Sequence, residues 1–362
     1  MRVLVITGAS GGHIFPALEF LETLKARDKN IRALLVLPER NITVPLENLG
    51  YQVNYISISP IKLSLDFKNI MAILGFIKGF FQSLVIILSF KPAIVVAFGS
   101  LASIPMVSLA RVFGIKNLIH EQNVIPGRAN RFLGKITNKI AISFPQTRDY
   151  FKGHQQKIAL TGNPIRKQLK RCDRNKALEF FGFSDYKFTI LVMGGSQGSH
   201  NINTAFLKAI STISDIEKIQ IIHLTGSRDY DLLKRSYQTL NVNAKLFSFL
   251  ESMHYAYSAC DLVLSRAGAT TIAEIMYFKL PAIIVPYPYA RRHQSSNAQV
   301  LESKGCAIRI EDHKLHSGIL RQTIDELIND HQRLGVMRLS YDGISRLNAN
   351  ILLVEEALSL AT

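Results

Sequence analysis

The sequence predicts an α/β protein of two doubly wound, Rossmann-like domains facing each other across a cleft. Three observations carry that prediction. Thirteen short β-rich runs alternate with helical patterns along all 362 residues; 48% of the residues are hydrophobic and 19% charged; and a glycine turn after the first strand is matched by a second one midway along the chain. Strand runs bounded by Gly, Pro, Ser and Asn, with helices between them, indicate parallel sheets covered on both faces. A chain of this length also exceeds the usual size of one core.

In the first half, strands are expected at VLVI (3–6), ALLVL (33–37), QVNYI (52–56), AIVVAF (93–98), NLIH (117–120), KIAIS (139–143) and KIAL (157–160). The stretch TGASGGHIFP (7–16) follows the first of them and opens a helix. It is not the dinucleotide fingerprint G-x-G-x-x-G, because Ser10 stands at the second glycine, and no Lys-Ser/Thr pair follows to make a P-loop. Its glycines nevertheless let the backbone approach a ligand closely, and a helix start favours an anion.

Residues 70–90, IMAILGFIKGFFQSLVIILSF, are long enough to span a bilayer. Lys78 and Gln82 in mid-segment, Gly75 and Gly79, and the strand immediately after favour one or two core helices instead. Part of their apolar surface, with Lys62, Lys68 and Lys78 nearby, is expected to rest in a membrane interface.

The seam is expected at ALTGNPIRKQL (159–169), where Gly-Asn-Pro breaks the periodicity, giving domains 1–162 and 163–340. In the second, strands are expected at FTILVM (188–193), QIIHL (220–224), KLFSF (245–249), LVLS (262–265), AIIVP (282–286) and CAIRI (306–310). The last pattern, SRLNANILLVEEALSL (345–360), reads as an amphipathic helix; the segment 341–362 would return to brace the first domain.

The net charge of +16 is unevenly divided: residues 1–162 carry 19 Lys+Arg and 8 Asp+Glu, net +11, leaving +5 for the rest. The first domain is therefore the one suited to an anionic partner. Cys172, Cys260 and Cys306 are odd in number and widely spaced, which argues against a disulfide framework or zinc site and suits a reducing cytoplasm. The first residues read as a strand and not as a secretory signal.

Ligands of doubly wound sheets sit beyond the carboxyl ends of the strands. In the first domain those ends carry Ser10-Gly11-Gly12-His13, Gly99-Ser100 and His120-Glu121-Gln122-Asn123. In the second they carry Gly194-Gly195-Ser196-Gln197-Gly198, Ser265 to Thr271, and PYPYARRHQSSNAQ (286–299). Gly268 to Thr271 open a helix and would offer N–H groups to a diphosphate, while Glu274, a turn further on, would accept from ribose hydroxyls. That is the pattern of a nucleotide-sugar seat; ordinary helix-start residues would read the same way.

The motifs TGASGGHIFPAL, HEQNVIPGRAN, TGNPIR, MGGSQGS, SRAGATTIAE and RRHQSSNAQ, in that order, resemble the MurG family of peripheral membrane glycosyltransferases. The resemblance runs over nearly the whole chain. It implies a GT-B architecture and transfer of N-acetylglucosamine from UDP-N-acetylglucosamine to the muramoyl sugar of lipid I, giving lipid II of peptidoglycan synthesis. By motif, it places Ser196 and Arg166 on the donor, Gly268, Thr270 and Thr271 on its diphosphate and Glu274 on its ribose. Gln294 and Asn297 would hold the sugar hydroxyls. Ser10, Gly11, Gly12, His13 and Asn123 would form the acceptor side, beside the lipid's own diphosphate. Ser10 replaces the family's usual threonine and keeps the hydroxyl, whereas Leu101 stands where many members have an aromatic residue and Glu39 where an aspartate is common.

Inverting transfer needs a base at the acceptor hydroxyl and stabilisation of the leaving diphosphate. His13 is the first candidate base, with Glu121 and Glu39 as rivals. No Asp-x-Asp pair stands at a strand end, so no metal cofactor is required in this scheme, although Mg²⁺ could assist. The expected partners are UDP-N-acetylglucosamine, a polyprenyl-diphosphate-linked muramoyl-peptide and the anionic cytoplasmic face of a bacterial inner membrane, with no nucleic acid. A UDP-N-acetylglucosamine 2-epimerase of the same fold would share the donor seat but has no use for a cationic, apolar first domain. A non-catalytic membrane-binding protein would leave the donor seat idle.

Overall fold

The computed structural model describes every residue except 40–49, 60–66, 196, 214, 241, 291, 345–347 and 362, and the side chains of 67–69. The chain forms two compact units, Met1–Arg166 with Leu347–Thr362, and Lys167–Arg346.

The first unit runs β1 (Arg2–Thr7), α1 (Gly11–Arg27), β2 (Arg32–Pro38), β3 (Gln52–Ile56), α2 (Phe67–Phe90), β4 (Ile94–Phe98), α3 (Ser103–Val112), β5 (Lys116–Glu121), α4 (Arg128–Leu133), β6 (Lys139–Ile142) and β7 (Ile158–Leu160). The second runs α5 (Arg174–Phe181), β8 (Phe188–Met193), α6 (His200–Ile210), β9 (Ile219–Leu224), α7 (Tyr230–Thr239), β10 (Asn243–Phe247), α8 (Met253–Ala259), β11 (Leu262–Ser265), α9 (Ala269–Phe278), β12 (Ala282–Ile284), α10 (His293–Glu302), β13 (Ala307–Arg309), α11 (Ser317–Asn329) and α12 (His331–Leu339). A last helix, α13 (Ala349–Ala361), completes the first unit. Each expected strand run lies in or overlaps one of these strands. The sheets have the orders β3-β2-β1-β4-β5-β6-β7 and β10-β9-β8-β11-β12-β13, and all their pairings are parallel. These are two Rossmann-like, doubly wound sheets.

The strands read as continuous apolar runs because both faces are covered. Val3 and Val5 of β1 pack with Phe20, Leu21 and Leu24 of α1 and Leu353, Val354 and Ala357 of α13. Leu4 and Ile6, pointing the other way, pack with Met106 and Val107 of α3 and Ile86 and Ile87 of α2. The returning helix is also held by polar contacts: the Asn350 amide donates to Glu19 at 2.9 Å and to the Ile165 carbonyl at 3.0 Å, and accepts from the Ile165 N–H at 3.2 Å. Those bonds keep residues through Arg166 on the first unit, past the expected seam at 162.

Residues 70–90 lie in the single helix α2, and only 28% of its apolar window is buried. Gly79 is why it lies so close to the sheet: a Cβ there would stand 2.6 Å from Ile58 and 2.7 Å from the Ser57 carbonyl. The Ser57 N–H donates to Gln82 at 2.7 Å. Its inner face thus meets the segment after β3, while its outer face, from Ile70 to Leu88, stays exposed.

Each unit buries one neutral histidine. Burial pushes His120 of β5 down to about 4, with nearby His13 lowering it further, and burial pushes His223 of β9 down to about 3. Above the ordinary value of 6.5 neither folded nor unfolded chain protonates these rings. As pH falls from 6.5 toward 4 the unfolded chain takes up protons that the folded one refuses, so stability drops by about 1.4 kcal/mol per pH unit for each ring. Urea unfolding at pH 7 and pH 4.5 should show this loss, and His223→Gln should remove about half of the contribution of these two rings. An unchanged slope in that variant would refute the assignment.

Candidate active site

In the first unit the turns after β1, β4 and β5 converge on His13. Ser10 is the extended residue before α1; its side chain makes no cap hydrogen bond and the first turn carries no acid. The Ser10 carbonyl accepts from the His13 and Ile14 N–H groups at 2.9 and 3.0 Å, and a side chain on Gly12 would meet nothing within 4 Å. The Gly11 and Gly12 N–H groups therefore stand at an open helix start, the arrangement that receives an anion. Gly8 and Gly99 permit the convergence. A Cβ on Gly8 would stand 2.8 Å from Ser100, and one on Gly99 (φ +78°) 3.1 Å from the His13 ring.

A relay of hydrogen bonds fixes how His13 is held. His120 Nε2 faces the Gly162 carbonyl at 3.0 Å, so the neutral His120 carries its proton there and accepts at Nδ1 from the Gln122 amide at 3.2 Å. The Gln122 NH₂ group also faces the Phe98 and His120 carbonyls, each at 3.4 Å. Its oxygen is thereby turned toward His13 Nδ1 at 3.2 Å. A carboxamide oxygen only accepts, so neutral His13 carries its proton on Nδ1 and its basic lone pair on Nε2. Gln122 belongs to the strand-end cluster that the sequence showed, yet its role was not legible there.

Glu121 is 2% exposed and accepts from the Asn123 N–H and side chain at 2.9 and 3.2 Å, the Gly127 N–H at 3.0 Å and Asn130 at 2.8 Å. Both its oxygens shape the loop from β5 to α4, so this candidate for the base is itself held by its neighbours. Asn123 is held by this carboxylate, and Asn130, which sequence reasoning missed, links it to the His120 carbonyl at 3.1 Å. Glu39 is exposed and accepts from the Ser57 hydroxyl, while Leu101 packs on the core. Arg166, expected in the second domain, belongs to the first unit, where its guanidinium lies 4.9 Å from the centre of the Phe15 ring on α1.

In the second unit the glycine turn between β8 and α6 is packed backbone to backbone. A Cβ on Gly198 (φ +74°) would stand 2.1 Å from the Thr225 carbonyl, so only glycine fits. Ser196 of this turn lies outside the described residues. Arg266, 7% exposed, ties the strand ends together: it pairs with Asp312 at 2.5 Å and donates to Ser199 at 2.8 Å and to the Val285 carbonyl at 3.2 Å. Its side-chain role gave no local sequence signal.

Gly268 is the extended residue before α9, whose start has neither a side-chain cap nor an acid in its first turn. The Thr270 hydroxyl is buried there with no hydrogen-bond partner, an arrangement that calls for an explanation. Thr271 stands beside Gly268 in the same turn. Glu274, four residues after Thr270 and on the same helix face, is 6% exposed and accepts from the Tyr257 hydroxyl at 2.7 Å. Tyr257 in turn stacks on Phe278 at 4.9 Å. Gln294 accepts from the Ala267 and Tyr287 N–H groups at 3.1 and 2.9 Å. Asn297, fully buried, donates to the Ala267 carbonyl at 3.1 Å. Asn297, expected at the sugar, thus braces the loop before α9. Among the described residues no cluster of three His, Cys, Asp or Glu side chains could hold a metal ion.

Residues 3–142 match the glycosyltransferase family 28 N-terminal domain and residues 189–340 the glycosyltransferase family 28 C-terminal domain. A relative in Thermodesulfovibrio yellowstonii, 35% identical with 99% of both chains covered, is a UDP-N-acetylglucosamine–N-acetylmuramyl-(pentapeptide) pyrophosphoryl-undecaprenol N-acetylglucosamine transferase. The crystal structure of MurG from Acinetobacter baumannii superposes over 99% of both chains with a TM-score of 0.79 at 24% identity. A UDP-N-acetylglucosamine 2-epimerase from Neisseria meningitidis, at 15% identity and a TM-score of 0.68, shares the fold alone. Two family 28 domains, a GT-B pair of Rossmann-like sheets and similarity along the full length together establish that the chain belongs to the MurG family of glycosyltransferases.

Proposed function

We propose that this protein moves N-acetylglucosamine from UDP-N-acetylglucosamine to the muramoyl sugar of a polyprenyl-diphosphate-linked peptide, converting lipid I into lipid II. The observation that carries the donor half is the buried, unpartnered Thr270 hydroxyl at the uncapped start of α9, one turn from Glu274. The N–H groups of that turn with Thr270 and Thr271 take the diphosphate, and Glu274 takes the ribose hydroxyls. Ser196 and Gln294 complete the donor side by motif.

On the acceptor side the start of α1 at Ser10, Gly11 and Gly12 receives the lipid's diphosphate, with Arg166 as a cation packed beside it. The acceptor hydroxyl attacks the anomeric carbon, its proton passes to Nε2 of His13, and the bond from that carbon to the diphosphate oxygen breaks with release of UDP. Helix N–H groups stabilise the charge on the leaving diphosphate, each such donor contributing on the order of 3 kcal/mol. The scheme requires no divalent ion, although Mg²⁺ could assist the departure of the diphosphate.

We assign the reaction to the cytoplasmic membrane surface, with the protein bound peripherally through α2. Its outer face exposes Ile70, Leu74, Ile77, Phe81, Val85 and Leu88, with Lys78 among them, while Gly79 and Gln82 on its inner face meet the segment after β3. That pattern suits a helix lying in the interface. Sedimentation with vesicles containing phosphatidylglycerol should bring the protein down, less so at high salt. Leu74→Asp with Ile77→Asp should weaken partitioning by about tenfold or more; unchanged sedimentation would refute this surface.

Labelled UDP-N-acetylglucosamine with and without the lipid-linked acceptor tests the chemistry. Label transferred only when acceptor is present supports the proposal. Interconversion of the sugar nucleotide without acceptor would replace it with an epimerase, and label that stays unchanged would leave a binding protein.

A further inference from the structure

The buried histidine of the second unit is the midpoint of a relay of hydrogen bonds that runs to the glycine turn between β8 and α6. Asn203, buried on α6, gives the relay its direction. Its NH₂ group faces the Thr225 carbonyl and Oδ2 of Asp229, each at 2.9 Å. Burial would raise the Asp229 carboxyl, but Asn203, His200 and Arg228 outweigh it and hold the group below its ordinary range. A carbonyl and a carboxylate only accept, so the amide has one possible orientation, with its oxygen facing His223 Nε2 at 3.1 Å. The neutral His223 therefore carries its proton on Nε2 and accepts at Nδ1 from the Tyr237 hydroxyl, 3.0 Å away. Tyr237 keeps its own proton, because burial raises its pKa far above the ordinary value.

The far end of the relay is the floor of the turn. The Thr225 carbonyl that Asn203 holds is the one on which Gly198 rests too closely for a Cβ, and Gly226 is packed in the same way on the Gln197 carbonyl. Asp229 makes a second tie, accepting at 3.1 Å from Nδ1 of His200 in the first turn of α6. The turn that carries Ser196 thus leads into a helix whose own side chains grip the backbone beneath that turn. We infer that Tyr237 and His223, acting through Asn203, are positioning residues for the sugar nucleotide: they hold residues 194–199 in the shape that receives it. Both are buried in the core of the unit and act only through their neighbours. A binding turn is accurate only when the contacts behind it are themselves fixed. Here every member of the relay has a single direction of donation, so the Thr225 carbonyl keeps one partner.

The inference rests on the donor seat proposed above, and its test separates the two. With ¹⁵N-labelled histidine, NMR at pH 7 should show His223 as the Nε2–H tautomer. Tyr237→Phe removes one oxygen, keeps the ring and leaves His223 Nδ1 without its donor. UDP should then bind about three- to tenfold more weakly by calorimetry. KM for UDP-N-acetylglucosamine should rise in step, while KM for the lipid-linked acceptor stays within about twofold. His223→Gln is the conservative rescue, since its amide donates to Asn203 and its oxygen accepts from Tyr237, so UDP affinity should be kept. His223→Leu should lose at least as much affinity as Tyr237→Phe. An Nδ1–H tautomer, or unchanged UDP affinity in folded Tyr237→Phe when Glu274→Ala has lost it, would overturn the relay and leave the donor seat standing. Unchanged affinity in both variants would remove the donor seat and the positioning role with it.

Discussion

Replacing His13 with alanine is expected to lower kcat by about 10²- to 10⁴-fold, the usual contribution of a positioned base, with the affinity for UDP unchanged to within about twofold. The reasoning starts from His120, which is held neutral by burial and bonded to the Gly162 carbonyl, and so must accept from Gln122. Gln122 then has only its oxygen to offer His13 Nδ1, which leaves the lone pair of the neutral ring on Nε2. The acid limb of the rate profile should vanish in His13→Ala. Gln122→Glu supplies the sign check: a carboxylate beside the ring favours its protonated form and raises its pKa. Since the base must be neutral to act, the acid limb should move to higher pH. A His13→Ala defect confined to UDP affinity would show that the acceptor assignment is wrong.

The second large effect concerns Glu274. Its alanine variant should bind UDP about 10- to 100-fold more weakly by calorimetry, the range expected when hydrogen bonds to a charged acceptor are lost. The same substitution leaves the buried Tyr257 hydroxyl without its 2.7 Å acceptor, so some stability is lost as well. Tyr257→Phe separates the two effects: it should lower UDP affinity only severalfold, because it loosens Glu274 without removing the carboxylate. If Glu274→Ala is folded and binds UDP as before, the start of α9 is not the donor seat.

Much of this could be read along the chain. Strands buried on both faces are apolar at every position, so runs such as LVI of β1 and ILVM of β8 announced parallel sheets without any partner in view. The glycine turns were legible for a related reason, since positions such as Gly198 tolerate no side chain. The β10 strand was placed slightly late, because its end runs into the exposed Ser248-Phe249 without a turn residue to mark it.

The limits were equally specific. Residues 70–90 had a helix's length and a membrane segment's composition, and neither property says which face will meet a sheet. Gly79 seated against Ser57 decided that. Arg166 was assigned by motif to the second domain, but the amide of Asn350, 185 residues away, holds the adjoining Ile165 on the first unit.

By itself, then, the sequence determined the α/β class, the order of the elements, the glycine turns and the membership of a glycosyltransferase family. All of these rest on local periodicity or on short ordered motifs. Only the tertiary structure decided which nitrogen of His13 is basic, that Glu121 and Asn297 brace loops, and that Arg266 clasps the strand ends. Each of these is set by hydrogen bonds between residues far apart in sequence, such as the 109 that separate His13 from Gln122. A side chain's donors and acceptors acquire a direction only when the fold has brought their partners within about 3 Å.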